Sequence, residues 1–137
     1  MDRLMNILKV LTGRRITGNI GEDAAVRHLR RNRYKILKRN FVAEGHEIDI
    51  IAKDSRHIVF VEVKCRTEDS LSPFEPRPAA AVDREKMRSI IKCARAYMMG
   101  DTGGLRMRFD VIEVIVDRDG KVKRLCHLEA AFTADRI

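Results

Sequence analysis

Three side chains in the first half of the sequence are of types, and at a spacing, that could grip a cation and act on a water: Asp49, then Glu62 and Lys64. Their surroundings read as a β-hairpin. Glu47 and Asp49 alternate with Ile48 and Ile50, Lys53-Asp54-Ser55-Arg56 supplies a polar turn, and Ile58 to Val63 returns as a β-branched run. Because successive strand side chains point to opposite faces, Glu62 and Lys64 share one face and Val61 and Val63 the other. If Asp49 joins that face, two carboxylates and one ammonium converge. Two negative charges roughly 5 Å apart repel by about 3 kcal/mol at an effective dielectric near 20, so a cation must accompany them. Lys64 could be that cation, in a structural ion pair. A divalent ion is the alternative, because hard carboxylate oxygens suit Mg²⁺ or Mn²⁺ and the lysine is then free to act on a water.

The elements that must position this hairpin are legible on either side of it. A helix is expected from Asn19, a good N-cap, to about Asn32, with Glu22 at the capping-box position. From Arg27 to Arg39 the chain carries Arg27, Arg30, Arg31, Arg33, Lys35, Lys38 and Arg39 without an acid, a run that could place positive charge along one wall of the site. Within it, Tyr34 to Val42 reads as the first strand, anchored by Tyr34, Ile36 and Phe41. After Lys64, residues 67–78 contain Pro73, Pro76 and Pro78 and read as a loop, either a flap over the site or a plain crossover. Another helix is expected from Ala80 to Met99, with Met87, Ile90, Ile91, Ala94 and Met98 as its apolar stripe and Arg84, Arg88, Lys92 and Arg95 opposite. Lys86 falls at the edge of the stripe, where a lysine needs a polar cleft. Met107 to Val116 resumes strand alternation, with Asp110 read as structural, and Asp117-Arg118-Asp119-Gly120 turns into a strand from Lys121 to Leu125. Leu128 and Phe132 are placed on a short helix or a docking tail. Residues 1–17 are expected to form an amphipathic arm around Leu4, Leu8 and Leu11, with 18–137 as a single domain.

Bulk composition narrows the classes. A chain of 137 residues, 45% hydrophobic, is large enough for one core and leaves little for a second domain. Net charge of +8 favours a polyanionic partner, although a bland basic surface would look the same. Cys65, Cys93 and Cys126 are scattered and odd in number, which argues against a disulfide frame or a zinc site and for a reduced, cytoplasmic setting. No apolar stretch approaches the roughly 18 residues of a membrane span, so no membrane partner is expected. His28, His46, His57 and His127 form no ligand cluster in sequence; His46 comes nearest to the site.

Asp49 followed after a hairpin by Glu62-Val63-Lys64 resembles the signature of the PD-(D/E)XK nuclease superfamily. The neighbouring text resembles one branch of it, the YraN-like family of predicted endonucleases, distantly similar to archaeal Holliday-junction resolvases. The likeness is carried by Gly21-Glu22 with Ala25 and Leu29, by Tyr34 to Asn40, by Glu47 to Ala52 and by Val59 to Arg66. It resumes at Ala81-Val82 with Lys86 and at Arg108 to Ile112, and so covers about residues 18 to 116. Such a family usually has Gly before its tyrosine; here Arg33 takes that place, and Asn32 is the candidate left-handed cap.

The resemblance implies an α/β, restriction-endonuclease-like three-layer sandwich, a central mixed β-sheet flanked by helices. It implies a metal-dependent endonuclease acting on DNA, branched or damaged, in repair or recombination. Asp49, Glu62, the backbone carbonyl of Val63 and Glu22 would hold Mg²⁺ (or Mn²⁺), and Lys64 would orient or deprotonate the attacking water or stabilise phosphoryl charge. Arg27, Arg30, Arg31, Arg33, Lys38, Arg39, Arg66 and Lys86 are the nucleic-acid contacts to look for, and a resolvase-like activity would call for a homodimer. The competing classes are a non-catalytic nucleic-acid-binding protein on the same fold and a scaffold for a repair partner.

Overall fold

β-Branched runs punctuated by turn residues build a five-stranded sheet, and two amphipathic helices cover its faces. The structure is a computed structural model and describes residues 19–68 and 82–136; the expected amino-terminal arm and nearly all of the proline-containing loop lie outside the described residues. Helix α1 is described over residues 19–31. It is followed by β1 (Lys35–Ala43), β2 (His46–Lys53), β3 (His57–Thr67), helix α2 (Arg84–Met98), β4 (Arg106–Val116), β5 (Val122–Phe132) and a 3-10 turn, Ala134–Arg136.

The strands lie in the order β1-β2-β3-β4-β5. β1, β2 and β3 form an antiparallel meander, β4 pairs parallel to β3 after the crossover through α2, and β5 returns antiparallel. Two apolar layers sandwich this mixed sheet. Ala24, Ala25, Val26 and Leu29 of α1 pack with Ile50, Ala52, Val59, Val61, Ile112 and Val114 on one face. Ile90, Ile91, Cys93 and Ala94 of α2 pack with Ile51, Ile58, Phe60, Phe109 and Val111 on the other. Full burial of each such aliphatic side chain stabilises by about 1.5–3 kcal/mol, which is why the strands alternate between the layers. This is the expected α/β/α sandwich of the restriction-endonuclease type.

Several local expectations need correction. Asn19 is already helical, so it is not the residue that caps α1. At the other end Arg33, not Asn32, takes the left-handed conformation (φ 68°). Its N–H donates to the Arg30 carbonyl and that of Tyr34 to the Leu29 carbonyl, closing a Schellman-type cap without glycine. Helix α2 starts later than Ala80, because the Asp83 carboxylate accepts from the Lys86 N–H at 2.8 Å and caps it there.

The last segment is strand, not helix or tail: β5 runs to Phe132, which pairs with Phe109 and stacks on it (centroids 5.0 Å apart). The Glu129-Ala130-Ala131 stretch has helical propensity, but tertiary pairing overrides it. Ala130 adopts φ 50° where the β4–β5 register shifts, and its N–H donates to Asp110 Oδ1 at 3.0 Å.

Asp110 is structural as expected. Fully buried on β4, it accepts from both Arg108 Nε (2.9 Å) and Arg108 Nη2 (2.8 Å) and sits 2.7 Å from His127 Nε2. Arg108 also donates to the Tyr34 hydroxyl at 2.6 Å, and His127 Nδ1 lies 2.9 Å from His28 Nε2 on α1. An ionised carboxylate only accepts, so His127 donates through Nε2 and, when neutral, receives the His28 proton at Nδ1. These bonds tie α1 and the start of β1 to β4 and β5.

Candidate metal-binding and catalytic site

The site forms where the β2–β3 ladder opens. Pairing proceeds from Lys53↔Ile58 to Ile50↔Val61 and stops there. The next residue of β2 is Asp49, whose Oδ2 accepts from the Val63 N–H at 2.8 Å, replacing a ladder bond by a side-chain one. Strict alternation would put Ile48 in the same layer as Ile50, yet Ile48 packs with the α2 layer and Ile50 with the α1 layer. The alternation therefore slips at Asp49. Opposite it in β1 stands Asn40, between the pairs Arg39↔Ile50 and Phe41↔Ile48, with φ 52°. A residue tolerant of left-handed backbone absorbs the distortion that aims Asp49 at β3.

Glu62 follows Phe60 on the α2 side of β3 and is only 7% exposed. Its Oε1 lies 3.6 Å from Lys64 Nζ on the same strand and 3.9 Å from Lys86 Nζ on α2. Lys86 thus points into a polar cleft, as its place at the stripe's edge demanded. Burial, and then the charge of Asp49, push the Glu62 carboxyl up to about 7 against the two ammonium groups. Asp49 is raised chiefly by burial, partly offset by the Val63 N–H. Both acids are held in a pocket that resists their negative charge, and each would be stabilised by one more cation.

Glu22 stands at the margin of this pair. Burial and then the Asp49 charge raise its carboxyl, but Arg39 Nη2, which bonds Asp23 Oδ1 at 2.9 Å, also lies 3.5 Å from Glu22 Oε2. What brings α1 so close is Gly21: a Cβ built there would meet Cys65 Cβ on β3 at 2.6 Å. Among the described residues, no three His, Cys, Asp or Glu side chains form a group that could hold a metal. A hard divalent ion that keeps several waters needs only one or two carboxylates. The donor set of Asp49, Glu62 and the Val63 carbonyl, with its charge-starved carboxylates, fits such an ion; Glu22 stands at its edge, near enough for the Asp49 charge to raise its carboxyl and with Arg39 3.5 Å away.

The expected nucleic-acid contacts fall on different surfaces. Arg27, Arg30, Arg31 and Arg33 are exposed on and just after α1, the layer opposite α2, and Lys38 is exposed on β1. Arg39 is engaged by Asp23 and Glu22. Arg66 Nε lies 3.8 Å from Oε2 of Glu113, a buried acid that sequence reasoning missed. Glu113 stands beside Lys64 in the parallel β3–β4 register, and its Oε2 has no hydrogen-bond partner among the described residues. Only the long-range pairing of β3 with β4 brings it there, and nothing local in Ile112-Glu113-Val114 signals it. No helix among the described residues is long and apolar enough to cross a membrane.

The pattern of the Uncharacterised protein family UPF0102 matches residues 21–114. A UPF0102 protein of Porphyromonas gingivalis is 43% identical over 115 residues, covering 84% of this chain and 82% of that relative. One of Persephonella marina is 38% identical over 121 residues (88% and 96%), and one of Geobacter metallireducens 42% over 116 residues (84% and 90%).

Proposed function

The chain belongs to the uncharacterised protein family UPF0102, the YraN family, and from that premise we propose that it is a divalent-metal-dependent endonuclease hydrolysing phosphodiester bonds in DNA. One observation carries the reading: Asp49 leaves its ladder to bond the Val63 N–H, between Glu62 and Lys64, and so brings a half-buried carboxylate to the buried Glu62, which two ammonium groups flank. A purely structural cluster gains nothing from holding a half-buried acid beside a buried one, since carboxylates withdrawn from water without full pairing destabilise the fold.

In this reading Asp49, Glu62 and the Val63 carbonyl hold Mg²⁺ or Mn²⁺. When bound, the ion supplies Lewis-acid stabilisation of the scissile phosphate and lowers the pKa of water. The Val63 N–H fixes the Asp49 carboxylate, so its free oxygen has one orientation. Lys64 Nζ orients the attacking water or stabilises charge growing on the phosphoryl oxygens. Lys86 presents a second ammonium on the α2 side, suited to a non-bridging phosphate oxygen. Branched or damaged DNA is the substrate class suggested by the resolvase likeness.

A non-catalytic DNA-binding protein is the competing reading, and the pairing of Glu22 with Arg39, which leaves two carboxylates at the centre, favours it. Labelled duplex, single-stranded, flapped and four-way-junction DNAs, with RNA counterparts, separate the two. Metal-dependent products from the wild type, absent with Asp49→Ala, support the nuclease; salt-sensitive binding without products from any substrate supports the alternative.

A further inference from the structure

We propose that the outward face of α2 is the track on which the DNA backbone lies as it enters the site, with Arg88, Lys92 and Arg95 each taking one phosphate. The inference rests on the nuclease reading above and says from which side the substrate comes.

Arg88, Lys92 and Arg95 follow one another at i, i+4 and i+7, so they share one helix face, and all three are exposed. With His46, Ser89 and one acid, Glu85, they line a groove of about 380 Å³. Among the described residues no carboxylate comes within ion-pair distance of any of the three. Arg39 on the opposite side, by contrast, is occupied by Asp23 and Glu22.

The groove reaches toward the site through His46, which lines it and begins the strand that carries Asp49; Lys86, on the flank of α2 nearer the sheet, lies 3.9 Å from Glu62 at the far end of that approach. The Cys93 thiol donates to the His46 carbonyl at 3.5 Å, fixing the helix on that strand end. Spacing agrees as well. Seven helical residues rise about 10 Å, the axial length over which one DNA strand carries about three phosphates. Three cations over that length match one strand's charge, whereas the arginines of α1 stand on the other layer, away from Lys86 and Glu62.

The test is fluorescence anisotropy with the full chain and a labelled DNA duplex in EDTA, between about 50 and 200 mM salt. The variant Arg88→Glu/Lys92→Glu/Arg95→Glu is expected to bind at least about tenfold more weakly, with a log–log salt slope shallower by about 3. The neutral set Arg88→Gln/Lys92→Gln/Arg95→Gln is expected to show the same slope change, and it decides the matter if charge reversal unfolds the chain. Arg27→Glu/Arg30→Glu/Arg31→Glu on α1 is expected to bind within about twofold of wild type. Wild-type affinity in the α2 variants, or a loss confined to the α1 variant, overturns the track; if the wild type still cleaves DNA, the nuclease reading survives that failure. A wild type that neither binds nor cleaves DNA overturns both, and binding of an RNA duplex of the same sequence where DNA fails overturns the choice of DNA.

Discussion

Replacing Glu62 by glutamine is expected to stabilise the metal-free protein at alkaline pH while removing its response to metal. The carboxyl titrates near 7 in the fold, pushed up by burial and by Asp49, against an ordinary 4.5. Between those values the native state holds a proton that the unfolded chain has released. Stability therefore falls as pH rises from about 4.5, and the loss is complete above about 7. At 1.36 kcal/mol per pK unit, the shift corresponds to about 3 kcal/mol at pH 8 and above. The glutamine side chain is nearly isosteric with glutamate and carries no charge, so the variant escapes this loss. Lys64 and Lys86 lose a partner but are 30% and 42% exposed, and water replaces it at little expense.

Urea unfolding in EDTA should then show Glu62→Gln more stable than wild type by about 2–3 kcal/mol at pH 8.5, with the difference shrinking toward pH 5. Mg²⁺ at a hundred times its dissociation constant should add about 2.7 kcal/mol to the wild type alone. A variant less stable than wild type at both pH values, or a difference that does not change with pH, would refute the reasoning that the site is charge-starved without its ion.

Gly21→Ala should destabilise by about 1–3 kcal/mol in urea unfolding, because a Cβ 2.6 Å from Cys65 Cβ outweighs the roughly 1 kcal/mol of helix propensity gained; an unchanged midpoint would show that α1 can shift freely. Arg33→Gly should stabilise by about 0.5–1 kcal/mol, the left-handed penalty less the entropy of the added glycine, and a loss of stability would speak against the cap described above. Asp110→Ala should lose about 3–5 kcal/mol, since the Arg108 guanidinium and the Ala130 N–H are left buried without their acceptor; a loss under about 1 kcal/mol would mean the network relaxes around the gap. Lys64→Ala should abolish metal-dependent cleavage while duplex affinity stays within about threefold, as measured by anisotropy.

The sandwich and the shared face of Glu62 and Lys64 were legible because their signals are local. Ile58 to Val63 is short, rich in β-branched residues and preceded by a polar turn, which marks it as strand, and the α2 stripe of Ile90, Ile91 and Ala94 repeats at helical spacing. What was not legible depends on departures from regularity. Asp49 reaches β3 because the alternation slips against a left-handed Asn40, and one residue of slip leaves no mark on a period-two pattern. The extension of β5 to Phe132 rests on a bulge at Ala130 held by Asp110, twenty residues away, so local propensity misread it. Glu113 joins Lys64 only through a parallel ladder closed by α2. Even the basic run from Arg27 to Arg39 is divided by the fold, with most of its arginines on the layer away from α2.

The central claim is that Asp49 and Glu62 act on one cation. Titration of the purified chain with Mn²⁺, followed by the loss of its free electron-spin resonance signal, tests it most directly. Saturable uptake of Mn²⁺ that disappears in Asp49→Ala and in Glu62→Gln is the predicted result. Uptake by the wild type that either variant leaves unchanged would place the ion elsewhere, and no uptake by the wild type would contradict the metal site altogether.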